Sequence, residues 1–197
     1  MKLYEVASKL PTRMSDDEIR RWMMHVTGDA FTIRPTGEVD VDGEVRISRI
    51  FIDGHQQTSI PFQFGTVTGD FDCSGSGLIS LKGAPRRVSG NFRCFDTKLP
   101  SLEHAPYVVG GRFACFNTQI RSLSGINKTV GHIGTDFLGP TTPVSHVLGL
   151  ILIQGLQFIR FNGGALDEIL NKYLKTHDVI SAQDELIDAG FKEQAKL

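Results

Sequence analysis

Apolar residues recur along the middle of this chain with a period of 21 residues. Three units show it in register: GDFDCSGSGLISLKGAPRRVS (Gly69–Ser89), GNFRCFDTKLPSLEHAPYVVG (Gly90–Gly110) and GRFACFNTQIRSLSGINKTVG (Gly111–Gly131). Each unit holds Phe and Cys two residues apart, which places both on one face of a short strand. A unit this short buries its apolar face only by stacking on neighbours, so the repeat predicts a β-solenoid.

Weaker units are predicted on both sides of the three clear ones. A shift of 21 residues toward the N-terminus assigns Ile50, Ile52, Ile60 and Val67 to a degenerate first unit. After Gly131 the register slips by about one residue. Val130, Ile133 and Thr135 are expected to begin a weak unit, and Leu156, Ile159 and Phe161 to form a final one.

The two ends of the chain predict caps. Ser15 followed by Glu18 is a capping-box signature, and the apolar residues after it have helical spacing. Short alternating segments at 31–33, 38–41 and 45–47 predict strands joined by turns. Helices are predicted at Leu166–Leu174 and Ala182–Ala189, with Ser181 as the N-cap of the second. The expected divisions are a helix and hairpin cap (residues 1–47), the solenoid (48–163) and a helical cap (164–197).

The spacing within one unit is typical of leucine-rich repeats. Phe92, Cys94, Leu99 and Leu102 fit that consensus, although Thr97 stands where it has Asn. We therefore expect a mainly β protein with α caps, a leucine-rich-repeat-type β-solenoid. Its strands should form one parallel sheet, with an extended return path.

The three stacked cysteines, Cys73, Cys94 and Cys115, allow two interpretations. Thiolates at the spacing of neighbouring strands could hold a soft metal. The matching position in the first unit is Ile52, however, and free cysteine behaves as a small buried hydrophobe. We favour the core interpretation, and expect neither a metal nor a cofactor.

The residues between the inward positions vary from unit to unit and should face the concave side of the sheet. Exposed Phe beside Arg is typical of binding hot spots, whereas the alternative is an ordinary solvated sheet face. The residues predicted to contact a protein partner are Arg49, Phe51, Asp70, Asp72, Asn91, Arg93, Phe95, Arg112 and Phe116.

Charge and motifs narrow the classes of function. A net charge of −1 gives no global field for nucleic acid or an anionic membrane. Residues 1–20 are charged throughout, so no export signal is expected, and the free cysteines favour the cytoplasm. Metalloprotease, phosphate-loop and nucleophile-elbow motifs are missing from the sequence, so an enzyme is not expected.

Two other groups of residues remain as candidate sites. One is a basic cluster of Arg86, Arg87 and Arg93, and the other is a cap site of Asp40, Asp42 and His55.

The repeat pattern xxFxCxxxxLxSLxGAPxxVGG resembles small leucine-rich-repeat proteins encoded by tailed bacteriophages. The lead-in GEVDVDGEVRIS before the repeats and the closing ELIDAGFKEQAKL are also similar. The resemblance implies the fold and a setting in an infected bacterium, but no site residues. We therefore expect a non-catalytic module that binds a host enzyme or defence protein. The alternatives are a virion or decoration protein, and an enzyme or small-ligand binder that uses the cap; a homo-oligomer is possible.

Overall fold

The computed structural model describes residues 13–47, 51–52 and 55–197, and for residues 51–56 no side chain is described. The helices are α1 (Asp16–Met23), α2 (Ile126–Thr129), α3 (Ala165–Tyr173), α4 (Val179–Asp188) and a 3-10 helix (Leu148–Leu152). The first seven strands are β1 (Ala30–Ile33), β2 (Val39–Asp42), β3 (Val45–Arg46), β4 (Phe51–Ile52), β5 (His55–Gln56), β6 (Phe64–Val67) and β7 (Phe71–Asp72). The others are β8 (Arg87–Val88), β9 (Phe92–Arg93), β10 (Val108–Val109), β11 (Phe113–Ala114), β12 (His132–Ile133), β13 (Asp136–Leu138) and β14 (Phe158–Arg160).

Twelve of these strands form two six-stranded sheets, in which each strand except β1 lies beside the equivalent strand of a neighbouring turn. Sheet A has the order β1-β2-β6-β8-β10-β12, and sheet B has the order β3-β7-β9-β11-β13-β14. All neighbours are parallel except β1 and β2. Since successive turns of the chain add a strand to each sheet, the fold is a β-solenoid of about five turns with helices at its ends.

The return path is extended, as expected, but the expectation of one sheet is wrong, because the return strands form a second sheet, sheet A. Val67, Val88, Val109 and Ile133 lie opposite one another there, and each is fully buried. The two sheets pack these valines and isoleucine against the Phe and Cys residues of sheet B, in one continuous core.

Phenylalanine stacks along the inside of sheet B. Phe71 lies opposite Phe92, and Phe92 opposite Phe113, with ring centroids 5.7 and 5.0 Å apart. Phe113 in turn lies opposite Phe137, at 5.5 Å. All four side chains are fully buried. We call them the inner phenylalanine row.

The predicted first unit is wrong in its first half. The strand beside β7 is β3, with Val45 opposite Phe71, 26 residues away. β4 instead pairs antiparallel with β5, in a separate two-stranded sheet. The second half agrees with the prediction: Val67 lies opposite Val88, and Ile60 is buried. The β4–β5 pair therefore stands outside both six-stranded sheets, and β6 is the next strand of the chain that belongs to one of them, sheet A.

The register change after Gly131 is larger than predicted. Phe137, not Ile133, lies opposite Phe113, 24 residues on. The short helix α2 occupies the place where the two preceding units have an extended Ala-Pro segment, and so takes up the extra residues. Ile159 lies opposite Phe137, as expected for the last unit.

The caps close both ends of sheet B. At the N-terminal end, Ser15 and Glu18 form the predicted capping box of α1, and the Arg46 N–H donates to the carbonyl of Val26. At the other end, the Asn171 amide accepts from Ile159 N–H at 2.8 Å and donates to its carbonyl at 2.7 Å. Side chains of α3 thus satisfy the edge strand, which reduces the risk of edge-to-edge association.

The last helix begins earlier than the sequence suggests. α4 starts at Val179, and its N-cap is Asp178, whose carboxylate accepts from Ser181 N–H at 3.0 Å. Ser181 therefore lies inside the helix, where its hydroxyl also donates to Asp178. Asp and Ser are both favourable N-cap residues, so the sequence alone could not show whether Asp178 or Ser181 caps α4.

Glycines form the corner between the two sheets. Gly90 N–H donates to Gly69 O at 3.0 Å, and Gly111 N–H to Gly90 O at 2.9 Å. A Cβ on Gly90 would lie 2.8 Å from Gly69 O, closer than real contacts allow. The turns can therefore stack closely here, and the residue after each glycine starts the outer face of sheet B.

Candidate functional site

The outer face of sheet B contains most of the residues predicted to contact a partner. Its side chains stand in columns along the solenoid axis, because every second residue of a strand points outward. The column at the strand starts is Glu44, Asp70, Asn91, Arg112, Asp136 and Phe158. The middle column is Arg46, Asp72, Arg93, Ala114, Leu138 and Arg160. The column at the strand ends is Ser74, Phe95, Phe116, Pro140 and Asn162.

Two predicted contact residues are not placed on this face. Arg49 lies outside the described residues. Phe51 belongs to β4, which pairs with β5 through Phe51 and Gln56 and not with any strand of sheet B. The prediction placed both by a shift of 21 residues, whereas β3 occupies the position beside β7.

Polar residues at the N-terminal end of the face are joined by hydrogen bonds between turns. The Asp70 carboxylate accepts from Asn91 N–H at 2.6 Å and from Arg93 Nη1 at 2.7 Å. The Asn91 side chain donates to the same carboxylate at 3.0 Å, and its oxygen accepts from Arg112 N–H at 2.9 Å. Partial burial acts to raise the pKa of Asp70, but the bonds from Asn91 and Arg93 outweigh it and hold the pKa below its usual value. These polar groups therefore already have partners within the chain.

The two arginines expected to contact a partner are paired within the chain. Arg93 lies 2.7 Å from Asp70, and Arg112 donates through Nε and Nη2 to Asp136 Oδ2 at 3.1 and 2.8 Å. Asp72 accepts from the backbone and hydroxyl of Ser74 at 2.9 and 2.5 Å. We call Asp70, Asp72, Ser74, Asn91 and Arg93 the polar half of the face. Asp70 and Arg93 compensate each other, and the Asp72 carboxylate is held by Ser74.

The other half of the face is apolar. The Phe95 and Phe116 rings stack with centroids 4.4 Å apart and planes 10° apart, and both side chains are half-buried. Beside them Ala114 is buried and Leu138 is half-buried, and Pro140 continues the same column. We call Phe95, Ala114, Phe116, Leu138 and Pro140 the apolar half.

The turn that follows each outer phenylalanine sets the direction in which its ring points. The residues after them, Asp96 and Asn117, adopt left-handed backbone conformations with φ of 55° and 50°, and the Asn117 amide donates to Asp96 at 2.5 Å. Asp and Asn tolerate this region better than other side chains do. The hydroxyl of Thr118 then donates to the carbonyl of Cys115 at 2.9 Å, and it is buried. Each chain segment therefore turns sharply after its phenylalanine, and leaves the ring standing on the sheet.

A cavity lies beside the apolar half, between the last turn and the C-terminal helices. Its volume is about 240 Å³, and Pro140, Phe161, Asn162, Leu166 and Phe191 are among its lining residues. We call it the end cavity. The sequence did not predict this cavity, because its lining comes from the last turn, α3 and the segment after α4. The only sequence signals are the prolines at 140 and 143 and the glycine pair at 163–164.

One arginine near the end cavity has no ion pair among the described residues. The guanidinium of Arg160 lies 5.3 Å from the ring centroid of Phe158, and the side chain is exposed. Arg160 and Asn162 lie on either side of Phe161 along the chain, so both stand on the outer face. Arg160 is therefore the cation on this part of the face that can take an acidic partner without breaking an existing ion pair.

The predicted core role of the cysteines is confirmed. Cys73, Cys94 and Cys115 are free, fully buried and part of the hydrophobic core. Burial raises the pKa of all three thiols well above the ordinary value. Within residues 13–47 and 55–197 no group of three or more metal-binding side chains comes together.

The structure separates the predicted basic grouping, and the predicted cap site stays untested because it includes His55. Arg86 lies 3.2 Å from Glu38 beside sheet A, whereas Arg93 pairs with Asp70 on sheet B, so the basic residues do not form one cluster. At the cap, Asp40 accepts from Arg34 at 2.5 Å and from Thr66 N–H at 2.7 Å. These bonds engage the Asp40 carboxylate, and the side chain of His55 lies outside the described residues.

No family model, curated protein or solved structure matches this chain. Among the described residues, no helix is long and apolar enough to cross a membrane. The class that the fold defines is thus a β-solenoid with two sheets and helical ends, and function has to be argued from its surfaces.

Proposed function

We propose that this protein is a non-catalytic binding module that docks a partner protein on the outer face of sheet B. The observation that carries the proposal is the apolar half, where two stacked phenylalanines stand half-exposed on a rigid sheet. Aromatic anchors surrounded by ordered polar residues are typical of binding hot spots.

The structure changes the residues that we expect to supply the binding energy. Arg93 and Arg112 already pair with Asp70 and Asp136, so each would have to give up an ion pair to bind an acidic partner. Burial of Phe95 and Phe116 would therefore supply most of the affinity. The paired arginines would act at the rim, where charged residues affect specificity and association rate more than affinity.

The setting is part of the proposal. The repeat pattern resembles that of small phage-encoded proteins, which favours a factor that acts on a host enzyme or defence protein in the cytoplasm of an infected bacterium. The mechanism would be steric, because the docked sheet face would cover part of the partner's surface and block the contacts that the partner makes there.

The experiment is an affinity capture from phage-infected bacterial lysate. The Phe95→Ala/Phe116→Ala double variant removes the apolar anchors and leaves the ion pairs intact. A matched control, Arg87→Ala/Tyr107→Ala, removes one exposed side chain of sheet A and one from the residue just before β10. A host protein retained by wild type and control but lost by the double variant would support the proposal.

Two results would contradict it. Equal retention of the partner by all three proteins would exclude the outer face of sheet B as the docking surface. Recovery of phage structural proteins would instead support the virion alternative. Equal and cooperative unfolding of the three proteins is the check that the variants keep the fold.

A further inference from the structure

The end cavity continues the apolar half of sheet B. Pro140 belongs to both, and Asn162 stands in the same column one strand further along. Neighbouring strands lie about 4.8 Å apart, so the cavity begins about one strand beyond the Phe116 ring. A partner that covers the two phenylalanines would also reach the mouth of the cavity.

The size of the cavity limits what it can take. Its volume of about 240 Å³ is below the roughly 300–1,000 Å³ of pockets that bind drug-sized ligands. An apolar cavity of about 150 Å³ is large enough for a benzene ring. The end cavity therefore suits one bulky side chain, such as that of Phe, Leu or Trp, and not a cofactor.

The lining also favours an apolar group. Phe161, Leu166 and Phe191 contribute apolar surface. The buried carboxylate of Asp167 points its oxygens at backbone, accepting from Phe161 N–H at 3.1 Å and Gly163 N–H at 2.8 Å. Its hydrogen-bonding capacity is used to hold the chain between β14 and α3, so the carboxylate does not demand a cationic ligand.

Charge complementarity adds a second requirement. Arg160 is exposed, and forms no ion pair among the residues that the structure describes. Arg160 is the last residue of β14 and stands two residues before Asn162 of the cavity lining, at most about 7 Å of extended chain. An acidic side chain next to the apolar anchor could therefore pair with Arg160.

We propose that the end cavity receives a bulky apolar side chain of the partner protein, and that an adjacent acidic residue of that partner pairs with Arg160. This inference rests on the proposed function, because it assigns the partner's anchor to the same docking surface. It also defines the partner chemistry: an exposed segment in which Phe, Leu or Trp stands beside Asp or Glu.

The cavity can be tested without the partner. Indole is titrated into the full chain, and amide chemical shifts are followed by NMR. We expect saturable shifts around Val144, Leu166 and Phe191, and their loss in Ala165→Trp, which adds a ring at an exposed residue of the cavity lining. The matched control Glu168→Trp adds the same ring to an exposed position of α3, outside the cavity lining, and should leave indole binding unchanged. Indole shifts that Ala165→Trp leaves intact, or no saturable shifts, would overturn the proposal.

The partner chemistry is tested with a displayed library of short random peptides selected on the full chain. Enriched peptides should pair a bulky apolar residue with an acidic one. Their affinity should be lost in Ala165→Trp, kept in Glu168→Trp and weakened about tenfold in Arg160→Ala. No enrichment, or enrichment without an apolar residue, would overturn the proposal.

The variants separate this inference from the proposed function. Binding that is lost in Phe95→Ala/Phe116→Ala but kept in Ala165→Trp would support the docking face and overturn the role of the cavity. Binding lost in Ala165→Trp but kept in the double variant would support the cavity and contradict the docking face. Self-association of the chain that Ala165→Trp abolishes would assign the cavity to a second copy, and would also overturn the proposal.

Discussion

Phenylalanine stands on both sides of sheet B, with different consequences on each. Phe71, Phe92 and Phe113 point inward and are fully buried, whereas Phe95 and Phe116 stack on the outer face and stay half-exposed. The inner rings hold successive turns together, since each one packs on the ring of the next turn. The outer rings contact each other but leave surface for a partner. The same residue type thus serves the fold on one side of the sheet and, in our proposal, recognition on the other.

The largest expected effect is on the inner row. Phe92→Ala should lower the free energy of unfolding by about 3–5 kcal/mol, since it removes a fully buried ring and leaves a cavity between Phe71 and Phe113. Urea unfolding followed by circular dichroism measures the loss. A loss below about 1 kcal/mol would show that the turns do not depend on this row.

The next effect concerns the polar half. Asp70→Ala should destabilise the fold by about 1–3 kcal/mol, because it removes the acceptor of Asn91 N–H and of Arg93. The same urea titration measures it. The matched variant Asp136→Ala, which leaves only the more exposed Arg112 without its partner, should cost less. Equal losses of unfolding free energy would mean that the hydrogen bonds from Asn91 and Arg93 to Asp70 stabilise the fold no more than the ion pair of Asp136 with Arg112 does.

The Asp70 contribution should depend on pH. Its pKa is lowered in the folded protein, so the folded state binds the proton less readily than the unfolded state. The contribution is therefore fully present above the unfolded-state pKa, and is lost as the pH falls through the lower folded-state pKa. The difference in unfolding free energy between wild type and Asp70→Asn should be constant near neutral pH and shrink below about pH 4. A difference that grows with acidification would contradict this assignment.

The outer pair should matter less to stability than the inner row. Phe95→Ala should cost about 1 kcal/mol, since it removes one ring–ring contact and little fully buried surface. Thermal and urea unfolding of Phe95→Ala and Phe92→Ala side by side give the contrast directly. A loss from Phe95→Ala as large as that from Phe92→Ala would show that the outer pair also belongs to the core.

The smallest effect is expected at the rim. Arg112→Ala should change the unfolding free energy by about 0–1 kcal/mol, because its guanidinium is half-exposed and its ion pair with Asp136 is screened by water and salt. Repeating the unfolding titration at high salt should make wild type and variant converge. A difference that salt does not alter would point to packing of the arginine stem instead.

The sequence correctly predicted which side chains point inward, but it predicted only some of the pairs of neighbouring strands. The alternation of Phe, Arg and Cys over residues 92–94 predicted buried Phe and Cys correctly, because strand geometry alone sets which face a side chain takes. It placed residues 50–52 beside β7, where β3 lies instead. Choosing between two nearby apolar segments depends on how the chain between them folds, and a periodic shift cannot decide that.

The candidate site shows the same division. The sequence identified Phe95, Phe116, Arg93 and Arg112 as outward residues, and all four lie on the outer face of sheet B. It could not show that the two arginines are already paired, since Arg93 and Asp70 are 23 residues apart and Arg112 and Asp136 are 24 apart. The ion pairs depend on the exact stacking of turns.

The sequence by itself determined the solenoid, the buried cysteines and the sides of the strands, because short-range alternation and the need to bury apolar residues leave few other solutions. Only the tertiary structure decided that the return path forms a second sheet, and that, among the described residues, Arg93 and Arg112 of the outer face are paired while Arg160 is not. It also created the end cavity, whose walls come from the last turn, α3 and the segment after α4. Contacts between segments distant in the chain set these features, and no local pattern encodes them.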